Sequence, residues 1–277
     1  MVFLPLSALA EHNDIHAEAD RPGMGTGTNV LPFGFIQWEA GFECAHLADM
    51  HAVTLPTSLF RFGLGPWAEM RLEYTGFLMV NGRQENTPSS ADTPLYNVEP
   101  LNIGTKIRLW GGSEESQRQW IPRTSLLLNI GVPLTAAMAK QVPFSGTVDL
   151  LFENDVADWL TIGYDVGAYW TDWTPAPELF ASLAFNFIPT RHLGLFVESY
   201  NSFAFDAVDN VTSGTYTHCN INLDFGLTYM VHPHVQLDAY AGFNLYNSEP
   251  HLSAPRNNVY VGLGVTWLLH SGRKAKP

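Results

Sequence analysis

The chain has 277 residues, 46% hydrophobic but only 15% charged, so a water-exposed surface would lack its usual covering; ordinary soluble domains carry roughly 25% charge. Its only lysines are Lys106, Lys140, Lys274 and Lys276, and the formal charge of −13 excludes a partner gripped through its phosphates, nucleic acid above all. No run approaches the eighteen or so consecutive apolar residues of a spanning helix. A membrane protein without such helices has to close its strands into a barrel, because hydrocarbon offers open strand edges no partner.

At the amino end, Val2, Phe3, Leu4 and Leu6 form a short apolar run before Ala8-Leu9-Ala10, a small-residue pattern that predicts cleavage before Glu11. The basic n-region is missing, so residues 1–10 read as a truncated signal-peptide remnant. Residues 11–31 are polar and rich in Gly and Pro and form no packed element alone; they are a flexible periplasmic leader or a plug lying in a lumen. His12 and His16 read as solvated rather than metal-bound. Gly23, Gly25 and Gly27 lack a preceding strand and a following helix, so they make no dinucleotide loop.

From Phe33 the pattern has period two. The first strand, to Cys44, puts Ile36, Trp38, Ala40, Phe42 and Cys44 on one face and Gln37, Glu39, Gly41 and Glu43 on the other. The second, Thr57 to Leu64, points Phe60 and Phe62 away from Arg61; the third, Ala68 to Thr75, alternates Met70, Leu72 and Tyr74 with Glu69, Arg71 and Glu73. The fourth, Glu99 to Leu109, opposes Ile103 and Ile107 to Lys106 and Arg108, and the fifth, Thr124 to Val132, opposes Leu126, Leu128 and Ile130 to Ser125 and Asn129. Strand six, Thr147 to Glu153, carries Asp149 and Glu153 on the polar face, and strand seven, Leu160 to Trp170, carries Asp165. Leu179 to Phe187, His192 to Tyr200 with Glu198, Cys219 to Tyr229 with Asp224, Val235 to Phe243 with Asp238, and Asn258 to Leu268 complete the set. Cys44 and Cys219 fall on the apolar faces of strands that are not neighbours, which argues against a disulfide.

About twelve such strands, apolar outward and charged inward, predict an all-β, transmembrane, antiparallel up-and-down barrel over residues 32–270, followed by a polar tail at 271–277. Barrels of this kind have short periplasmic turns and longer outer loops. Gly65-Pro66, Asn154-Asp155, Pro189-Thr190 and His232-Pro233 mark tight turns, while the connection after the first strand and the stretch Gly76 to Val98 read as long outer loops. Gly111 to Pro122 should be short and is not. With both ends periplasmic, Trp38, Phe187, Tyr229 and Trp267 gather at the inner rim and Tyr74, Trp170 and Phe243 at the outer, as two membrane-interface aromatic girdles. A soluble barrel with the faces reversed would be overfilled by these apolar side chains.

The predicted pore-lining set is Glu39, Glu43, Glu69, Glu73, Asp149, Glu153, Asp165, Glu198, Asp224 and Asp238 with Arg61, Arg71, Lys106 and Arg108, an excess of acid that suits cations or uncharged solutes. Glu39, Arg61, Glu69, Arg71, Glu73, Lys106 and Arg108 are expected to line the narrow part. Pairing of Arg61 and Arg71 with Glu39, Glu69 and Glu73 would equally serve to satisfy a buried polar interior. No catalytic set emerges. A rim hydrolase needs nucleophile and base on one lipid-facing edge, but His218 has lumen parity and Ser199 faces out without a partner base. His232 and His234 read as a solvated turn pair, and no metal or cofactor is expected.

The run Asp20-Arg21-Pro22-Gly23 through Gly27-Thr28, the strand carrying Gln37, Glu39 and Gly41, and the motifs Leu59-Phe60-Arg61-Phe62-Gly63, Glu69-Met70-Arg71-Leu72-Glu73-Tyr74 and Asp224-Phe225-Gly226-Leu227-Thr228-Tyr229 resemble the outer-membrane, transporter-like proteins grouped as the meta-pathway of phenol degradation family. The resemblance spans Asp20 to Trp267, although the chain continues past Trp267 where many such barrels stop at an aromatic residue. It implies a channel in the outer membrane of a Gram-negative bacterium, with the lipid bilayer and small solutes as partners, apolar or aromatic compounds among the candidates, and a monomer favoured. The alternatives are an outer-membrane acyl hydrolase and a non-conducting structural or adhesive barrel.

Overall fold

In the computed structural model the described residues are 15–47, 50–82, 95–98, 100–111, 121–134, 144–171, 176–205, 217–248 and 259–270. They form β1 (Phe35–Leu47), β2 (Met50–Gly63), β3 (Ala68–Tyr74, resumed as Phe77–Gly82), β4 (Leu95–Val98, resumed as Leu101–Trp110), β5 (Arg123–Val132), β6 (Ser145–Ala157), β7 (Leu160–Thr171), β8 (Glu178–Phe187), β9 (Leu193–Phe205), β10 (Thr217–His232), β11 (Val235–Asn247) and β12 (Val259–His270). Every neighbour pair is antiparallel, and β1 closes on β12 from Phe35↔His270 to His46↔Val259, giving a closed barrel of 12 strands. Closure pairs the strand edges within the sheet, which is the condition for lying in hydrocarbon.

The two pieces of β3 are one strand, because Ser58 pairs with Tyr74 and Leu55 with Phe77 on the same β2. The interruption falls at Gly76, whose φ of 77° suits glycine and whose added Cβ would stand 2.5 Å from the carbonyl oxygens of Leu55 and Pro56. The pieces of β4 follow suit through Phe77↔Val98 and Tyr74↔Leu101.

The faces are as the alternation requires. Outward Leu183, Phe185, Val197, Phe225, Val261, Leu263 and Trp267 are 38–50% exposed, whereas inward Gln37, Arg61, Glu69 and Lys106 are at most 1% exposed. A water-soluble protein reverses this order. Cys44 on β1 and Cys219 on β10 are free thiols separated by β11 and β12.

Several boundaries differ from the sequence reading. β2 starts at Met50 instead of Thr57, so its connection to β1, expected to be long, spans only residues 48–49. Pro56 hid this extension, since proline cannot donate to a ladder. It is tolerated because neither neighbour pairs with it: β1 skips from Gly41↔Thr57 to Glu43↔Thr54, and β3 from Tyr74↔Ser58 to Phe77↔Leu55. The supposed loop Gly76 to Val98 contains the outer pieces of β3 and β4. Asn154-Asp155 is strand, the turn lying instead at Asp158-Trp159, and the turn between β10 and β11 falls at Pro233-His234, not His232-Pro233. Asn and Asp are turn formers only where the ladder does not claim them; here β6 stays paired with β7 through Asn154↔Ile162 and Asp155↔Thr161. The predicted cleavage site before Glu11, His12 and the polar tail lie outside the described residues.

Candidate functional site

Before β1 the chain threads the barrel interior from Ile15 to Pro32, touching inward side chains from most of the ring. Its ends are fixed by apolar contact: Ala17 and Leu31 pack with inward Leu268 of β12, flanked by Ile15, Phe35 and Met230. Ala17 also donates its N–H to the Pro233 carbonyl in the β10–β11 turn, at 2.8 Å. At the other end Gly63 admits the segment, since a Cβ there would fall 1.9 Å from the Pro32 carbonyl oxygen.

On the β1–β4 side the segment docks on an ion network. Alternation puts Glu39, Arg61, Glu69, Arg71 and Lys106 on adjacent inward positions of four strands. Arg61 clasps Glu69 with Nε and Nη2, both at 2.9 Å, and reaches Glu39 at 3.3 Å. Arg71 reaches the same Glu69 at 3.1 Å. Asp20 of the segment enters this cluster: Lys106 Nζ donates to both its oxygens at 2.8 Å, Arg71 donates to Oδ2, and Arg61 lies 3.5 Å away. Burial alone would push the Asp20 carboxyl up, but the surrounding Arg61, Lys106 and Arg71 charges outweigh it and hold the group far below the usual carboxylate range. Segment carbonyls take the remaining donors, Arg61 giving to Glu18 and Asn29 at 2.8 and 2.9 Å, and Lys106 to Gly27 at 2.8 Å. Three wall cations thus face Glu39, Glu69 and Asp20; without Asp20 the cluster is one negative charge short.

The opposite wall, β6 to β11, is acidic. Here the segment turns its N–H groups outward: Met24 and Gly25 donate to Glu198 at 2.8 and 2.7 Å, and Thr28 donates to Glu153 through both N–H and hydroxyl. Gly25 leaves room for this approach, as a Cβ there would sit 2.5 Å from Glu198 Oε1 and 2.7 Å from Ser182 Oγ and would oblige those side chains to shift. Arg21 crosses to Asp238 at 3.5 Å and lies over the Tyr240 ring. Glu18 has its carboxyl pushed up, first by burial and then by the charge of Glu153. Between the segment and strands β4 to β10 a cavity of about 1130 Å³ opens, reaching Arg108, Arg123, Glu153, Asp165 and Glu198.

Inward aromatic rings line much of the β7–β12 wall, each laid over a glycine of the neighbouring strand. A Cβ on Gly167 would meet the Phe180 ring at 2.2 Å, on Gly262 the Tyr240 ring at 2.2 Å, on Gly242 the Tyr260 ring at 2.3 Å and on Gly226 the Phe196 ring at 2.5 Å. The interior therefore combines carboxylates with flat apolar surface.

The chain matches, over residues 19–254, the family described as "Putative MetA-pathway of phenol degradation". It belongs to that family. Among solved structures this family member is similar to an outer membrane channel from Pseudomonas putida F1, with a TM-score of 0.62 at 11% identity, covering 90% of this chain and 99% of that one. It is also similar to the NanC porin, with a TM-score of 0.54 at 6% identity, covering 83% and 98%. At such identities the likeness is one of fold. No curated protein sequence matches the chain.

Within this family member all fourteen expected lining residues have inward parity, but they do not form one constriction. Glu39, Arg61, Glu69, Arg71 and Lys106 join the network; Arg108 donates instead to the Pro66 carbonyl in the inner turn at 3.2 Å and borders the cavity. Glu43 accepts from Tyr240 Oη at 2.7 Å. Arg123, absent from the expected set, pairs with Asp155 and with Glu153. The aromatic residues expected at the rims point outward, Trp38 donating to Ser58 at 2.8 Å and Trp267, Tyr229 and Trp170 being 43–50% exposed. His218 has no described side chain, and His232 and His234 share a turn. The sequence reading missed Asp20 as a network member, and missed Phe180, Phe196 and Tyr260 as interior rings. Glycines at inward parity beside aromatics of the same parity were the available signal.

Proposed function

We propose that this barrel sits in the outer membrane of a Gram-negative bacterium and passes small solutes, apolar and aromatic ones in particular, through an acidic lumen narrowed by residues 15–32. The observation that carries the reading is the pairing of a lipid-type exterior with an interior of carboxylates and glycine-seated rings. The family's link to phenol degradation and the similarity to an outer membrane channel support the same direction. Flat rings on the wall offer stacking to an aromatic solute, while the acids on β6 to β11 disfavour anions. No nucleophile–base pair stands among the described side chains in a form that favours hydrolysis, so passage rather than turnover is the reading adopted. Glu39, Glu69, Arg61, Arg71 and Lys106 with Asp20 form the narrow side of the passage, and the outward Trp38, Tyr229 and Trp267 on one rim with Tyr74, Trp170 and Phe243 on the other set its depth in the bilayer.

The test is planar-bilayer recording with the full chain and with a variant lacking residues 11–31. The full chain should give discrete, cation-selective conductance that phenol interrupts, and the deletion should conduct more. Silent bilayers from both proteins overturn the reading, as does anion selectivity.

A further inference from the structure

In the outer half of the lumen the register of β1 and β10 to β12 builds the same three-residue row twice, in opposite senses. In one row Glu43 pairs with Gly262 and Gly262 with Tyr240; in the other Asp224 pairs with Gly242 and Gly242 with Tyr260. Each tyrosine lies across the glycine between it and the carboxylate, with its hydroxyl end 2.6 Å from the Cβ position of Gly262 and 2.4 Å from that of Gly242. The two rings meet edge to face, centroids 6.3 Å apart.

The rows differ in how their acids are satisfied. Tyr240 Oη donates to Glu43 at 2.7 Å, closing the first row. Asp224 is 1% exposed, and neither of its oxygens has a hydrogen-bond partner among the described residues. Its neighbour on β9, Glu198, is already taken by the N–H groups of Met24 and Gly25, and the segment's Arg21 pairs with Asp238. β6 to β11 carry no lysine or arginine. A carboxylate buried without donor or counter-charge is costly, and what would satisfy it is a cation that brings N–H donors. The flanking Tyr260 ring adds the attraction of a ring for a cation and apolar contact for its substituent, while Tyr240, its ring already beneath Arg21, borders the site through the edge-to-face contact. A bare metal ion fits less well, since no group of three or more His, Cys, Asp or Glu side chains among the described residues is placed to hold one.

We propose that Asp224 and Tyr260, bordered by Tyr240, form a binding site for small organic ammonium ions, the N–H groups directed at Asp224 and the organic part laid against Tyr260. This goes beyond solute passage and needs no flux, so a silent bilayer would leave it standing and a failed titration would leave the channel reading standing.

The experiment is calorimetric titration of the full chain in detergent micelles with phenethylammonium chloride, with phenethyl alcohol as the uncharged match and calcium chloride as competitor. The amine should bind saturably, the alcohol at least about tenfold more weakly, and calcium should not displace the amine. Asp224→Asn and Tyr260→Leu should each weaken the amine about tenfold or more, while Asp158→Asn, which removes the same charge from the inner turn, should leave it unchanged. Folding of each variant is checked by its heat-dependent migration in gels; should Asp224→Asn fail to fold, Tyr260→Leu decides alone. Equal affinity for amine and alcohol, displacement by calcium, no binding, unaltered binding in the folded variants, or equal loss in Asp158→Asn overturns the site.

Discussion

Both walls of the lumen accept the segment's N–H groups on carboxylates, but only one of them also holds it with cations. β1 to β4 supply Arg61, Arg71 and Lys106 with Gln37, Glu39 and Glu69, and receive from the segment one carboxylate, a set of carbonyl oxygens and the N–H groups of Glu18, Asp20, Arg21 and Leu31. β6 to β11 supply only acids and receive N–H groups. The first wall is complete only with Asp20 in place, so its stability is conditional on the segment. The second keeps unused acceptor capacity at Asp149, Asp224 and Asp238, whether or not the segment is seated. One wall therefore acts as an anchor and the other as a surface still open to solute.

That contrast predicts a graded response. Asp20→Asn removes the charge that three buried cations share and should loosen the segment by about 3–5 kcal/mol, since one partner of a buried ion cluster leaves the others uncompensated; conductance in planar bilayers should rise towards that of the deletion. Glu198→Gln keeps one acceptor for Met24 and Gly25 and should cost about 1.5–3 kcal/mol, seen as a smaller rise. If the two variants respond equally, the anchor is not confined to one wall. Gly25→Ala crowds Glu198 and Ser182 and should cost about 1–3 kcal/mol, read as faster hydrogen exchange of residues 15–32.

Acidity gives the smallest effect across the ordinary range. The Asp20 carboxyl is held below its ordinary value of 3.8, so its contribution to seating is fully present above that pH and is lost as pH falls further. Glu18, pushed up from 4.5, works the other way, favouring the seat below that value and losing its contribution as pH rises through the raised one. Protection factors for amide exchange in residues 15–32 should therefore fall as pH drops below the ordinary Asp20 value of 3.8 and, more weakly, decline as pH rises through the raised Glu18 value. Release already at pH 6 would show that Asp20 is not the dominant contact.

The barrel was legible because its signal is local. A strand facing lipid on one side writes that side every second residue, and Glu39, Arg61, Glu69, Arg71 and Lys106 could be assigned inward from such runs alone. What failed was of two kinds. Beyond the lipid band the environment no longer dictates alternation, so Met50–Pro56 and the outer pieces of β3 and β4 looked like loop. The other failures needed contacts remote in sequence: Asp20 meets Lys106 across 86 positions, and Gly25 meets Glu198 across 173. Nothing near the three glycines at 23, 25 and 27 in the chain could say that a carboxylate arrives at Gly25 from β9.

The threaded residues are gripped at many places through their peptide groups, and at those places the walls read the backbone instead of the side chain. Ala17, Glu18, Asp20, Arg21, Met24, Gly25, Thr28 and Leu31 all lend their amide hydrogens. The prolines already in this stretch, Pro22 and Pro32, occupy places where no such hydrogen is engaged. Side-chain replacements in this stretch should therefore keep its path where the wall meets only the peptide group, provided imino acids stay away from those eight nitrogens and the acid at position 20 survives.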